Sequence, residues 1–135
     1  MPHRGPSLMI RRILETSGNE LRCVGRIPTG SPFAAGGTAP CFVGLDLLAQ
    51  AAAALEALQR AASSAGGPGI GYVVGIREAR FETSTLPLGS DLVAHVRLLD
   101  GTVSLAHQEV RLAEGDTSCL SAVLTTFRVA PVDIR

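Results

Sequence analysis

The stretch from Cys41 to about Ser63 constrains this chain more than any other. It contains no proline and one glycine, Gly44, and its run Leu47-Leu48-Ala49-Gln50-Ala51-Ala52-Ala53-Ala54-Leu55-Glu56-Ala57-Leu58 consists mostly of strong helix formers. Pro40 stands just ahead, where a helix start tolerates proline. Gly66-Gly67-Pro68-Gly69 closes the segment. The first half is apolar nearly all round. A helix of that kind must be enclosed, because no single stripe of it suits water. Asp46, Gln50, Glu56 and Gln59 interrupt the run and make it a poor membrane span.

The rest of the chain reads as the enclosure. Leu8 to Leu14 and Leu21 to Ile27 have the character of two short strands around Ser17-Gly18-Asn19. Residues 28–39 are rich in Pro, Gly and Ser and read as loop. After the helix come four further strands: Ile70 to Phe81, Asp91 to Leu99, Thr102 to Leu112 and Ser118 to Val129. Leu92, Ala94, Val96 and Leu98 alternate with Val93, His95 and Arg97, the period of a half-buried strand. Asp100-Gly101 and Glu114-Gly115-Asp116 read as hairpin turns, since glycine accepts positive φ. The pattern predicts an α+β fold, an antiparallel sheet curled around one long central helix. With 135 residues the chain is near the modal size of one domain, read as a single domain over 1–135. A sheet of this kind leaves an edge or a helix flank to cover, and a second subunit is the simplest cover.

Composition removes several function classes. Twelve basic residues, all Arg, balance twelve acidic ones, and neither sign forms a run. That argues against nucleic acid and against a charged tail. Three cysteines without a CxxC pair argue against a disulfide framework and a zinc site, so neither a metal nor another cofactor is expected. Free thiols suit a reducing compartment, and Arg11 and Arg12 break the only early apolar run that could act as a signal peptide. The expectation is a cytoplasmic protein with no membrane partner.

Asp46 is the strongest single candidate for chemistry. Helix propensity does not favour Asp inside an apolar helix, and a carboxylate buried there must find donors or change its protonation. Gln50, four residues on, lies on the same helical stripe and would extend a polar patch. The N–H groups of Cys41 and Phe42 lie where a helix start leaves donors without intrahelical acceptors, so they can polarise a carbonyl. The Cys41 thiol has the helix dipole but no evident histidine partner. His95 and His107 lie in strands and read as surface residues, and His3 lies near the chain start.

Gly44-Leu45-Asp46-Leu47-Leu48-Ala49-Gln50 resembles the helix motif of the 3-hydroxyacyl-ACP dehydratases of the FabA/FabZ type. Pro2-His3-Arg4 and the strand after it are similar to that family's opening. Gly75-Ile76-Arg77-Glu78-Ala79-Arg80-Phe81, followed by Pro87-Leu88-Gly89-Ser90-Asp91, is similar to its strand and Pro-Gly-Asp turn. The resemblance implies a hotdog fold working as a dimer, with the site at the subunit interface. It implies Asp46 as the acid, a histidine from the loop before the helix as its partner, and the Cys41 N–H as the carbonyl donor. The substrate would be a thioester on the phosphopantetheine of acyl carrier protein or of CoA, in fatty-acid or polyene-type biosynthesis.

One position departs from that pattern. The loop Thr29-Gly30-Ser31-Pro32-Phe33-Ala34-Ala35-Gly36-Gly37-Thr38 contains no histidine. In this the chain looks more like the ApeP branch, dehydratase-like proteins of aryl polyene gene clusters. His3 is then the candidate replacement acid–base, and Ser31 or Thr38 a candidate for positioning water. The sequence leaves three functions open: a dehydratase with reduced or partner-dependent activity, a thioesterase using Asp46 as base, and a non-catalytic subunit of a homodimer or heterodimer.

Overall fold

The structure, a computed structural model, describes residues 8–62, 70–102 and 104–129. Two strands, β1 (Ile10–Ser17) and β2 (Glu20–Gly25), open it. A short strand, β3 (Thr38–Pro40), leads through a 3-10 turn at Cys41–Val43 into the helix α1 (Gly44–Ala62). Five strands follow: β4 (Ile70–Phe81), β5 (Thr85–Pro87), β6 (Leu92–Gly101), β7 (Leu105–Glu114) and β8 (Thr117–Val129). A 6-stranded sheet runs in the order β1-β2-β6-β7-β8-β4, antiparallel throughout, and β3 pairs separately with β5.

The helix lies in the sheet's concave face. Leu47, Leu48, Ala51, Ala52 and Leu55 are fully buried against Leu21 and Cys23 of β2, Leu92, Ala94 and Val96 of β6, Val110 and Leu112 of β7, and Leu120 and Leu124 of β8. Each enclosed leucine is worth about 1.5–3 kcal/mol relative to exposure. By length and hydropathy the segment Cys41–Ala61 could cross a membrane, but the sheet encloses its apolar side. Gly44 permits this close seat: a Cβ there would lie 2.8 Å from Leu112 Cδ2 and 2.9 Å from Leu86 Cδ1.

Three details differ from the sequence reading. The α-helix begins at Gly44, because Cys41–Val43 form the tighter 3-10 turn. The loop expected over 28–39 ends in β3, whose partner β5 lies on the Leu86-Pro87 segment before the Gly89 turn. The β6–β7 hairpin does not turn at Asp100-Gly101, since Gly101 is still paired with Ala106. The hairpin closes one residue later, where the Thr102 N–H donates to the Leu105 carbonyl and the Leu105 N–H to Thr102 Oγ1.

Candidate active site

The loop after β2 folds back over the start of α1 and encloses a cleft of about 430 Å³. Its walls are apolar: Met9, Pro28, Pro32, Phe33, Phe42 and Val43. Phe33 and Phe42 meet edge to face with ring centroids 5.3 Å apart, an arrangement that fixes the loop against the helix start. Asp46 and Ser31 supply the polar side chains of this wall among the described residues.

Asp46 is exposed, not buried as its apolar surroundings in sequence suggested. It belongs to the outward stripe of α1, with Ala49, Ala53 and Ala57 behind it at helical spacing. The buried stripe is the leucine-bearing one, so Leu47, Leu48 and Ala51 pack in the core and none of them lines this cleft. The acid thus stands at the cleft with a smooth alanine surface running away from it.

Gln50 does not extend the polar patch. It is 3% exposed, and its Oε1 accepts the Met9 N–H at 2.9 Å. It ties the approach to β1 onto the helix and so holds Met9, a wall of the cleft. Cys41 also lies away from the role expected of it. Its N–H donates to the Ser84 carbonyl at 3.0 Å, the contact that anchors the 3-10 turn beside β5. Its thiol is buried between Thr83 and the Cys119 carbonyl, and that burial raises its pKa above the ordinary thiol range, against a reactive thiolate. Phe42, the next residue, does line the cleft.

The remaining candidates separate cleanly. His3 lies outside the described residues. His95 sits 3.2 Å from Glu20, and His107 Nδ1 sits 2.5 Å from Asp100, both on the sheet away from the cleft. Ser31 lines the cleft and its Oγ accepts the Phe33 N–H, whereas the Thr38 hydroxyl donates to the Ala35 carbonyl within the loop.

Two features escaped the sequence reading. Glu56, Gln108 and Thr126 form a buried polar cluster between α1, β7 and β8, in which Glu56 Oε1 accepts from the Thr126 hydroxyl and the Gln108 amide. Glu56 had given a signal, as an acid in the same apolar helix as Asp46. The second is a groove of about 550 Å³ beside the cleft, lined by Arg11 and Arg26 and sharing Pro28 and Gly30 with it. Nothing local in the sequence brings Arg11 and Arg26 together, because β1–β2 pairing does so.

Comparison with known proteins agrees with this architecture. The chain is 27% identical over 142 residues to the 3-hydroxyacyl-[acyl-carrier-protein] dehydratases FabZ of Brucella ovis and Brucella suis, covering 91% of this chain and 84% of theirs. Its fold matches a chain of the dehydratase heterocomplex ApeI:P from Xenorhabdus doucetiae with a TM-score of 0.83 at 21% identity, over 98% of this chain and 89% of that one. A thioesterase from Pseudomonas aeruginosa shares the hotdog fold at a TM-score of 0.65 and 15% identity, over 89% of this chain and 81% of its own. The family model for ApeP-like proteins, described as ApeP dehydratase, matches residues 1–134, and the chain therefore belongs to the ApeP-like dehydratase family of hotdog proteins.

Proposed function

We propose that this chain is a 3-hydroxyacyl thioester dehydratase subunit whose site is completed by a second hotdog chain. The observation that carries the reading is Asp46, the one carboxylate among the described residues of a mostly apolar cleft next to a helix start. Dehydration requires two proton transfers: a base removes the α-proton, and an acid protonates the departing 3-hydroxyl. The C–O bond breaks, a C2–C3 double bond forms, and one water leaves. Asp46 serves at the leaving hydroxyl. The negative charge that develops on the thioester oxygen needs an N–H donor. The Cys41 N–H is occupied by Ser84, so the Phe42 N–H takes that part.

The described residues of the cleft supply no second acid–base group of comparable strength to Asp46. His3 or a second chain is left to supply that group, and two observations favour the partner. The fold matches a chain of a dehydratase heterocomplex, and strand β4 is exposed on both faces from Val73 to Phe81 apart from Gly75. The substrate would be carried on the phosphopantetheine of acyl carrier protein or CoA, in the cytoplasm.

The test is conversion of a 3-hydroxyacyl-carrier-protein thioester to the 2-enoyl form, by the chain alone and with a candidate hotdog partner. Asp46→Asn is expected to lower turnover by 10²-fold or more, within the range of about 10²–10⁴ assigned to general acid–base groups. His3→Gln tests whether the second group lies in this chain. Full activity in Asp46→Asn sinks the reading, and loss of acyl-CoA hydrolysis alone moves the assignment to a thioesterase.

A further inference from the structure

We propose that the groove flanked by Arg11 and Arg26 binds the phosphate of the substrate's phosphopantetheine arm, while the thioester end lies in the Asp46 cleft. The proposal rests on the thioester reading and adds to it the place where the carrier enters. The groove adjoins the cleft, since Pro28 and Gly30 line both. Their chemistry is opposite at the two ends. The cleft is apolar with one carboxylate, unfavourable to an anion; the groove presents guanidinium groups, with the Thr29 hydroxyl beside them.

The charge balance of the groove is positive. Arg26 Nε pairs with Asp91 at 2.6 Å, both side chains partly exposed. Arg11 and Arg12 have no carboxylate within ion-pair distance among the described residues. Asp91 is held below the ordinary carboxylate range first by its hydrogen bond to Arg26, then by the charges of Arg26, Arg12 and Arg11. Arg11 and Arg26 line the groove and only Arg26 is paired with a carboxylate, which leaves the Arg11 guanidinium for a bound anion. Arginine suits the purpose, because its planar fork matches the oxygens of a phosphate. The same phosphate occurs in CoA and in the prosthetic arm of a carrier protein, so the groove serves either source.

The experiment measures equilibrium binding to the full chain, together with its partner where one is required. The probes are 4′-phosphopantetheine and pantetheine, at low and moderate salt. The wild type is expected to bind the phosphorylated probe about tenfold more tightly, the effect of one good charge-assisted contact. Salt should shrink that preference. Arg11→Gln, which breaks no ion pair, must weaken phosphopantetheine and leave pantetheine unchanged. Arg11→Gln with Arg26→Gln must abolish the preference. CoA and holo acyl carrier protein run alongside: a loss for either in the double variant supports the groove and names the carrier. Equal affinity of the wild type for both probes, or an unchanged preference in the double variant, overturns the proposal. Binding is read without turnover, so Asp46→Asn protein must keep the preference even if dehydration itself is never observed.

Discussion

Two carboxylates on one helix, Asp46 and Glu56, have opposite surroundings. They are ten residues apart, about 15 Å along the axis, and they sit on different stripes. Asp46 is open to the cleft and accessible for chemistry. Glu56 is 3% exposed and accepts from Thr126 and Gln108, while Gln108 Oε1 has no hydrogen-bond partner among the described residues. Removing Glu56 leaves two buried donors unpaired, so Glu56→Ala should cost about 3 kcal/mol in urea unfolding. Glu56→Gln keeps the acceptor and should cost clearly less. Asp46→Asn should leave stability within about 0.5 kcal/mol, because exposed sites seldom matter more. The buried thiols add a pH signature. Burial pushes Cys23 up to about 11 from 9.0. A group raised on folding stabilises the native state below its unfolded value and loses that contribution as pH climbs through the folded value. Wild-type stability should therefore fall between about pH 9 and pH 11 more steeply than that of Cys23→Ala, as measured by denaturant midpoints across that range.

At the scale of elements, Gly44 separates helix propensity from packing. Propensity alone favours Gly44→Ala by about 1 kcal/mol. The backbone raises no objection, since Gly44 has φ −62°. The new methyl, however, would meet Leu112 at 2.8 Å, Leu86 at 2.9 Å and Leu120 at 3.1 Å. Overpacking of this kind costs about 1–3 kcal/mol, so the substitution should lower the unfolding midpoint. It should also reduce turnover by displacing the helix start that carries Asp46. The long helix and the six sheet strands were legible in the sequence because runs of helix formers or of strand-type residues are set off there by glycine-bearing turns. Strands β3 and β5 were not, since each has three residues and exists only by pairing with the other across the helix and β4. The facing of Asp46 was hidden for a related reason. Alanine fits a core and a surface alike, so Ala49, Ala53 and Ala57 gave no hint that theirs was the outer stripe. The hydrogen bonds of Gln50 to Met9 and of Cys41 to Ser84 were not legible either, because they depend on contacts remote in sequence.

For the whole molecule, the two ends of the sheet decide how it meets other chains. Strand β4 presents Val73, Val74, Ile76 and Phe81 to solvent at one end, the kind of open strand that other chains pair with. Ile76→Arg should leave the far-UV circular dichroism unchanged and shift sedimentation from the paired to the single-chain mass. An unchanged mass would show that the strand is not the contact. The other end, β1, is shorter at 8 residues, carries Arg11, Arg12 and Glu15 beside the exposed Ile13 and Leu14, and slips register twice against β2. Charge and irregular register make it a poor template. Two chains that pair edge to edge through β4 cover that edge in both, so growth through it ends after a single encounter and builds no fibre.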